Sequence, residues 1–242
     1  MYPPAMAGEM ALIDQQVRFF RTFGFLKMPG LLANDIAAIT SAFEEVFADG
    51  SVYRVESSDV KVHGFRPRTT IPWFIDQHPT LAALRDDPRI VGAARSLLGD
   101  EFEYAESDGN LFSCDTEWHC DIYAAPMSIP HIKVSFYLDR LTADSGAPRV
   151  IPGTHYWKED FAVGLRHKFD KNIGGLSAVF GVDGPGVPGF VLDTEPGDLL
   201  IWDFRTIHAS YNGIVNRRLF TINFRQSRDR TPRPAEPVGE RL

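Results

Sequence analysis

The chain has 242 residues, 44% hydrophobic and 24% charged, which is the composition of a folded domain and excludes a disordered or fibrous protein. A formal net charge of −7 without a long basic run argues against a general nucleic-acid binder. No apolar run is long enough to span a bilayer, no secretory leader is visible, and two cysteines form no disulfide framework. We therefore expect a cytoplasmic protein that binds neither nucleic acid nor membrane.

The first hundred residues have the apolar spacing of helices. Residues 9–23 carry an apolar stripe that ends before Gly24. A second stripe begins at Ile36, directly after Asn34 and Asp35, which are residue types that cap helices. A polar, cation-rich stretch over 51–70 follows. Asp87 followed by proline is typical of a helix N-terminus, so we predict a third helix over 89–98.

From residue 101 onward, short segments alternate polar and apolar residues between Gly, Pro and Asp. This pattern predicts strands at 102–106, 110–114, 131–138, 149–151, 189–192, 198–202 and 218–226. Helices followed by many short strands predict an α+β, mainly β chain built on an antiparallel sandwich or barrel. We predict a single domain over 1–242, with a helical part over about 9–100, a sheet core over about 101–227 and an irregular tail over 228–242. Residues 156–187 are interpreted as a long insertion that serves as a lid or loop.

The segment from Thr116 to Asp121 contains the most informative motif. His119 and Asp121 are two residues apart, so in a strand both side chains point to the same face and can bind one metal ion. This spacing alone is weak evidence, because one such pair is expected by chance in a chain of this composition.

A second segment supports the metal site. Residues 195–202 form a Pro-Gly-Asp turn that leads into an apolar strand, and His208 follows. His208 reaches His119 and Asp121 only if the sheet folds back on itself, as a jelly roll does. Two histidines and one carboxylate on one face of an octahedral ion are typical of non-heme Fe(II) oxygenases.

A third segment, 216–224, predicts a strand that begins with two arginines. A buried arginine is costly unless it pairs with a carboxylate, and its planar guanidinium suits a bidentate pair. Arg217 or Arg218 is therefore a candidate for binding an acidic ligand.

In the order and spacing of these motifs, the chain resembles the phytanoyl-CoA dioxygenase family of Fe(II)/2-oxoglutarate-dependent oxygenases. This family includes ectoine hydroxylase. The matching pieces are Trp118-His119-x-Asp121, the Asp-Ser-Gly-Ala-Pro-Arg-Val-Ile-Pro-Gly-Thr-His segment at 144–155, Gly197-Asp198 through His208, and Arg217-Arg218. The helix and turn at 19–26 also resemble the family, and the likeness extends over about 10–226.

The resemblance implies a double-stranded β-helix, a jelly-roll or cupin-like barrel, with the N-terminal helices packed on it. It implies that His119, Asp121 and His208 are catalytic and bind Fe(II). The family's 2-oxoglutarate arginine usually lies about eleven positions after the second histidine, whereas here Arg217 is nine and Arg218 ten positions after it. Counting back along the strand favours Arg217.

Further residues are weaker candidates. For the cofactor, 2-oxoglutarate, they are Thr221, Asn110, Ser135 and Trp202, and for the substrate they are Arg66, Arg68, Tyr123 and Trp73. Lys133 lies in an otherwise apolar segment and requires a partner, either an acid or 2-oxoglutarate.

The resemblance implies a dioxygenase that uses Fe(II), 2-oxoglutarate and O2. With a carboxylate at Asp121, the expected reaction is hydroxylation of an unactivated C–H bond in a small metabolite or natural-product intermediate, with release of succinate and CO2. Desaturation, epoxidation and ring formation remain open, as does the oligomeric state. The alternatives are a zinc-dependent hydrolase or isomerase on a similar barrel and a binding module without catalysis. The paired arginines count against the hydrolase, and the complete triad counts against the binding module.

Overall fold

A computed structural model describes residues 10–57, 68–113, 115–121, 129–156, 159–170, 177–213 and 216–227. Its α-helices are α1 (Asp14–Phe23), α2 (Ile36–Ala48), α3 (Pro79–Ala82), α4 (Pro88–Leu98), α5 (Asp160–Asp170) and α6 (Ser177–Phe180). Short 3-10 helices lie at Phe74–Gln77, Ala83–Asp86 and Gly184–Gly186. None of the helices in these ranges has the length and hydropathy that crossing a bilayer requires.

The strands form two antiparallel sheets. In chain order they are β1 (Phe25–Met28), β2 (Val55–Ser57), β3 (Arg68–Pro72), β4 (Phe102–Phe112), β5 (Thr116–His119), β6 (His131–Tyr137), β7 (Pro148–Val150), β8 (Phe190–Val191), β9 (Leu199–Asp203), β10 (His208–Ser210) and β11 (Arg217–Gln226). The major sheet has the order β1-β9-β6-β11-β4-β3-β2, and the minor sheet has the order β5-β10-β7-β8. From β4 onward the chain passes back and forth between the two sheets, with β7 and β8 as consecutive strands of the minor sheet, as the predicted jelly roll requires.

The N-terminal helices cover the outer face of the major sheet. Phe220 of β11 is fully buried and lies against Phe43 of α2, Phe74 and Phe136 of β6. The helix ends follow the sequence signals: the Asp87 carboxylate accepts a hydrogen bond from the Arg89 amide, and Gly24 ends α1 at φ 82°. The opposite, inner face of this sheet faces the minor sheet.

A β-bulge in β4 determines which of its side chains reach the inner face. Asn223 of β11 pairs with Glu106, but the next residue, Phe224, pairs with Tyr104, so Ala105 is an extra residue in β4. Phe102 therefore packs on the outer face, whereas Glu106, also at an even position, faces inward.

Several predicted boundaries were wrong. The two segments predicted at 102–106 and 110–114 are one continuous strand, β4. The helical N-terminal part also supplies β1, β2 and β3 to the major sheet, because β1 pairs with β9 and β3 pairs with β4. Residues 156–187 lie between β7 and β8, where the insertion was predicted, and contain α5 and α6; their role as a lid or loop stays a prediction. The predicted tail, 228–242, lies outside the described residues.

Candidate functional site

A cavity of about 240 Å³ lies between the two sheets and is lined mainly by polar side chains. The inward-facing residues of β4, β6, β9 and β11 form one wall, and β5 and β10 of the minor sheet form the other. Its acidic, basic and histidine lining residues are Arg68, Glu106, Asp108, His119, Asp121, Lys133, His208 and Arg217. Charged side chains are seldom buried in a packed core unless they are paired, so this set of residues indicates a binding site rather than a core.

His119, Asp121 and His208 meet at one end of this cavity. His119 ends β5 and His208 begins β10, and the antiparallel register places the two residues directly opposite each other although they are 89 positions apart. The Nε2 atom of His208 lies 3.7 Å from Oδ2 of Asp121. One potential ligand atom from each of the three residues lies within 4.8 Å of the others.

Backbone carbonyl groups fix the tautomers of both histidines. Nδ1 of His119 lies 2.8 Å from the Glu117 carbonyl oxygen, and Nδ1 of His208 lies 2.9 Å from the Thr206 carbonyl oxygen. Because a carbonyl only accepts, Nδ1 carries the proton in each ring and Nε2 keeps its lone pair. Burial also lowers the pKa of His208, which favours the neutral form that binds metal.

Asp121 is buried but ionised. Burial acts to raise its pKa, but the positive charge of Lys133 outweighs burial and holds the pKa well below its usual range. Nζ of Lys133 lies 2.6 Å from Oδ1 of Asp121, and the Trp202 indole N–H donates to Oδ2 at 3.3 Å. These contacts fix the carboxylate with Oδ2 directed towards His208.

The three side chains fit a divalent transition-metal ion. Two neighbouring ligand atoms that are each about 2.1 Å from one octahedral ion lie about 3.0 Å apart, so the 3.7 Å between Nε2 of His208 and Oδ2 of Asp121 has to close by about 0.7 Å when the ion binds. Neutral imidazole nitrogens with one carboxylate oxygen suit Fe(II), and three ligands on one face leave coordination positions for other groups.

Arg217 lies at the other end of the cavity, where it is 1% exposed. Its Nη1 donates to the Gly146 carbonyl oxygen and to Oγ of Ser210, both at 2.5 Å. Gly146 has φ +94°, and a Cβ atom there would collide with Nη1 of Arg217. A glycine is therefore required at position 146 for the guanidinium to occupy this place.

Arg218 does not reach the cavity, so its prediction as a cofactor residue is corrected. It follows Arg217 in a strand, where successive side chains point to opposite faces. Its guanidinium binds Asp139 at 2.6 Å and Glu44 of α2 at 2.6 Å.

The other predicted residues divide into three groups. Five of them line the cavity: Asn110, Ser135, Thr221, Trp202 and Arg68. Trp73 does not, because it is 50% exposed and its ring packs against Tyr104. Arg66 and Tyr123 lie outside the described residues.

Sequence reasoning missed several lining residues and left Lys133 without a partner. Its partner is Asp121. Glu106, Asp108 and Asn223 also line the cavity. Strand alternation from Arg217 identifies Asn223, which is six positions further along β11. Alternation from Asn110 likewise identifies Asp108 and Glu106, but the strand break predicted at 107–109 concealed that relation.

Comparisons with known proteins identify the family of this chain. The model of the family described as phytanoyl-CoA dioxygenase (PhyH) matches residues 20–213. The chain belongs to the phytanoyl-CoA dioxygenase family. The predicted family membership is thereby confirmed.

Three relatives show how far the likeness extends. The ectoine dioxygenase of Bordetella bronchiseptica is 25% identical over 166 residues, which span 63% of this chain and 54% of that relative, about half its length. The α-ketoglutarate-dependent carbocyclase SnoK from nogalamycin biosynthesis has a TM-score of 0.69 at 21% identity, over 89% of this chain and 84% of SnoK. The epimerase SnoN, solved with Fe3+, α-ketoglutarate and nogalamycin RO, has a TM-score of 0.69 at 17% identity, over 88% of this chain and 83% of SnoN.

These likenesses confirm the predicted jelly-roll fold and, for the family, the predicted cofactors iron and 2-oxoglutarate with O2 as co-substrate. They also show that one fold serves different reactions, because SnoK is a carbocyclase and SnoN an epimerase.

Proposed function

We propose that this protein is a 2-oxoglutarate-dependent dioxygenase that hydroxylates an unactivated C–H bond of a small metabolite or natural-product intermediate. The observation that carries the proposal is the pairing, in one cavity, of the His119/Asp121/His208 cluster with the buried guanidinium of Arg217. A metal-binding triad alone serves many chemistries, and a buried arginine alone is compatible with a structural role. Together they fit an iron-bound 2-oxo acid with a second carboxylate.

The triad would hold Fe(II) through Nε2 of His119, Nε2 of His208 and the Asp121 carboxylate. Lys133 and Trp202 orient that carboxylate through the contacts described above. When bound, Fe(II) and 2-oxoglutarate supply the activation of O2, in which 2-oxoglutarate is converted to succinate and CO2 and a substrate C–H bond becomes C–OH.

Arg217 would bind the distal carboxylate of 2-oxoglutarate. Its guanidinium is permanently charged and buried, so a carboxylate beside it gains a charge-assisted hydrogen bond in a site that excludes water. Ser210 and the Gly146 carbonyl fix the plane of the guanidinium before the ligand arrives. Thr221, Asn110 and Ser135 face the same space and are candidates for further hydrogen bonds to the cofactor.

The ligand set favours hydroxylation over halogenation. The Asp121 carboxylate occupies the position that related halogenases leave without a carboxylate, so the site has a full triad. Arg68 of β3, at the Arg217 end of the wall, is a candidate contact for an anionic substrate group. We also propose that the protein acts in the cytoplasm on small molecules.

An anaerobic titration tests this proposal. Fe(II) and then 2-oxoglutarate are added to the metal-free protein while the weak visible charge-transfer absorption of chelated 2-oxoglutarate is recorded. We expect the band in the wild type and its loss in His208→Ala, because Nε2 of His208 is one of only three protein ligands.

A histidine outside the cavity provides the control. His78→Ala removes a partly buried histidine whose Nδ1 accepts from the Thr80 amide at the start of α3, and it should leave the band intact. A wild-type protein that gives no band and binds zinc tightly would contradict the proposal and favour a zinc hydrolase or isomerase.

A further inference from the structure

Tyr137 of β6 brings a hydroxyl group without a partner into the cavity. The side chain is 8% exposed and lines the space between the two sheets. Its hydroxyl oxygen makes no hydrogen bond in the part of the chain that the structure describes, yet this oxygen remains accessible from the cavity. A phenol that is removed from bulk water costs free energy while its O–H has no acceptor, so this position is suited to binding a ligand.

The strand register places Tyr137 beside Arg217. Tyr137 pairs with Leu219 of β11, and Arg217 precedes Leu219 by two residues, so the two side chains are diagonal neighbours on the inner face. Diagonal neighbours are about 7–8 Å apart, a distance that aromatic and long side chains can bridge. The ring of Tyr137 belongs to the same apolar cluster as Leu219 and Ala147, and Ala147 follows the glycine whose carbonyl oxygen accepts from Arg217. The phenol therefore lies at the Arg217 end of the cavity.

The electrostatic surroundings of the phenol agree with this position. Burial raises the pKa of Tyr137 to about 12, so the hydroxyl group stays protonated at neutral pH and can donate. Among the charged groups, Arg217 affects this pKa most, followed by Lys133 and then by Asp121. The phenol is thus nearest in effect to the guanidinium, and it also senses the ion pair beside the candidate metal centre.

The pair of donors determines which ligand group fits between them. The guanidinium of Arg217 only donates, and the protonated phenol of Tyr137 has one hydrogen to donate. A carboxylate has two oxygens that accept, so it can bind both donors at once, and its charge balances the guanidinium. A methyl group in the same place would leave the phenol without an acceptor and the guanidinium without a counter-charge.

We infer that Tyr137 donates a hydrogen bond to the distal carboxylate of 2-oxoglutarate, together with Arg217, and thereby selects a dicarboxylic 2-oxo acid as the co-substrate. Arg217 supplies the charge, and the hydroxyl group of Tyr137 supplies a second, directional contact from the neighbouring strand. The inference rests on the proposed function and deepens it, because it assigns the choice of co-substrate to a residue that the sequence motifs did not identify.

A matched pair of 2-oxo acids tests this assignment. 2-Oxopentanoate has a methyl group where 2-oxoglutarate has its distal carboxylate, and both can chelate a metal ion through the same 2-oxo acid group. Dissociation constants of both compounds are measured for wild-type and Tyr137→Phe protein by anaerobic titration of the Fe(II)-loaded forms, with the charge-transfer band as the readout. We expect Tyr137→Phe to weaken 2-oxoglutarate binding at least about tenfold, corresponding to about 1.4 kcal/mol, and to leave 2-oxopentanoate binding unchanged.

Tyr104→Phe is the matched control. It also removes one phenolic hydroxyl group, but Tyr104 lies on β4 outside the cavity, where its hydroxyl group bonds Asp76 at 3.1 Å and Ser107 at 2.8 Å. Both dissociation constants of this variant should equal those of the wild type. A change confined to Tyr137→Phe and to 2-oxoglutarate would support the contact with the distal carboxylate.

Two results overturn the inference alone. One is an unchanged affinity of Tyr137→Phe for 2-oxoglutarate. The other is an equal loss of affinity for both 2-oxo acids, which would assign Tyr137 to packing of the cavity wall. A wild-type protein that gives no band with 2-oxoglutarate overturns the proposed function as well, so the wild-type titration distinguishes the two failures.

Discussion

The two faces of the major sheet have opposite chemistry although the same strands form them. On β11, the outward residues Phe220, Ile222 and Phe224 are fully buried against the helical layer. The inward residues of the same strand include Arg217, Thr221 and Asn223, which are also buried but polar. The outer face stabilises the fold by removing apolar surface from water, whereas the inner face costs stability until ligands satisfy it.

This comparison teaches that burial alone does not identify a core. The side chains on the two faces of β11 have similarly low exposed fractions. The structural positions differ from the functional ones in their polarity and in their hydrogen-bond partners. Substitutions on the outer face should therefore change folding irrespective of ligands. Substitutions on the inner face should have effects that metal and 2-oxoglutarate change.

The largest effect is expected on the outer face. Phe220→Ala removes a fully buried ring that stacks on Phe136 with a centroid distance of 4.3 Å. It should lower the free energy of unfolding by about 3–5 kcal/mol in denaturant titrations, with or without metal. Phe190→Ala, which truncates a side chain that is 55% exposed, should cost about 1 kcal/mol or less. Equal losses for the two variants would contradict the assignment of the core.

Lys133→Met sharpens the comparison on the inner face. It removes the cation 2.6 Å from Asp121 and leaves a buried carboxylate without its compensating charge, so the metal-free protein should lose about 3 kcal/mol. A bound divalent ion balances that charge. Metal should therefore raise the melting temperature of Lys133→Met more than that of the wild type. A variant whose loss is the same with and without metal would show that Lys133 acts only in packing.

Adjacent arginines provide the next test. Arg217→Gln removes the buried charge at the end of the cavity and should weaken 2-oxoglutarate binding by about 30-fold or more, corresponding to 2 kcal/mol or more. Arg218→Gln breaks contacts to Asp139 and Glu44 on the other face and should leave the affinity unchanged. Anaerobic titration of 2-oxoglutarate into the Fe(II)-loaded variants gives both constants, and the reverse ranking would exchange the roles of the two residues.

The smallest effect concerns a titratable group outside both faces. Burial lowers the pKa of His155, whose ring hydrogen-bonds the Arg21 carbonyl oxygen at 3.0 Å. The unfolded chain binds a proton at this histidine more readily, so stability falls as the pH drops below about 6.5, the ordinary pKa of histidine. In metal-free protein, His155→Gln should lose less stability between pH 7 and pH 5.5 than the wild type does. An equal loss would exclude His155 as a source of acid sensitivity.

The sequence predicts the metal triad and the inner face of β11 because local spacing determines both. The two-residue spacing of His119 and Asp121 predicted that they share a face. They do meet, although β5 ends at His119 and Asp121 lies two residues beyond it, and the family resemblance adds His208. The preference for Arg217 over Arg218 followed from counting along one strand, and the structure places Arg217 in the cavity and Arg218 outside it.

The parts that sequence reasoning missed depend on long-range pairing. The segment over 25–28 is a strand because β9 lies beside it, not because of its own pattern. Glu106 and Asp108 share the face of Asn110 because β4 is one continuous strand, whereas the sequence pattern predicted a break at 107–109. The partner of Lys133 is twelve positions away and meets it only after the sheets fold together.

The most direct test of the central claim is an anaerobic crystal structure of the protein with Fe(II) and 2-oxoglutarate. The account predicts one metal ion bound by Nε2 of His119, Nε2 of His208 and the Asp121 carboxylate, with the distal carboxylate of 2-oxoglutarate on Arg217. A metal ion bound elsewhere, or 2-oxoglutarate bound away from Arg217, would contradict the assignment of the inner face as the cofactor site.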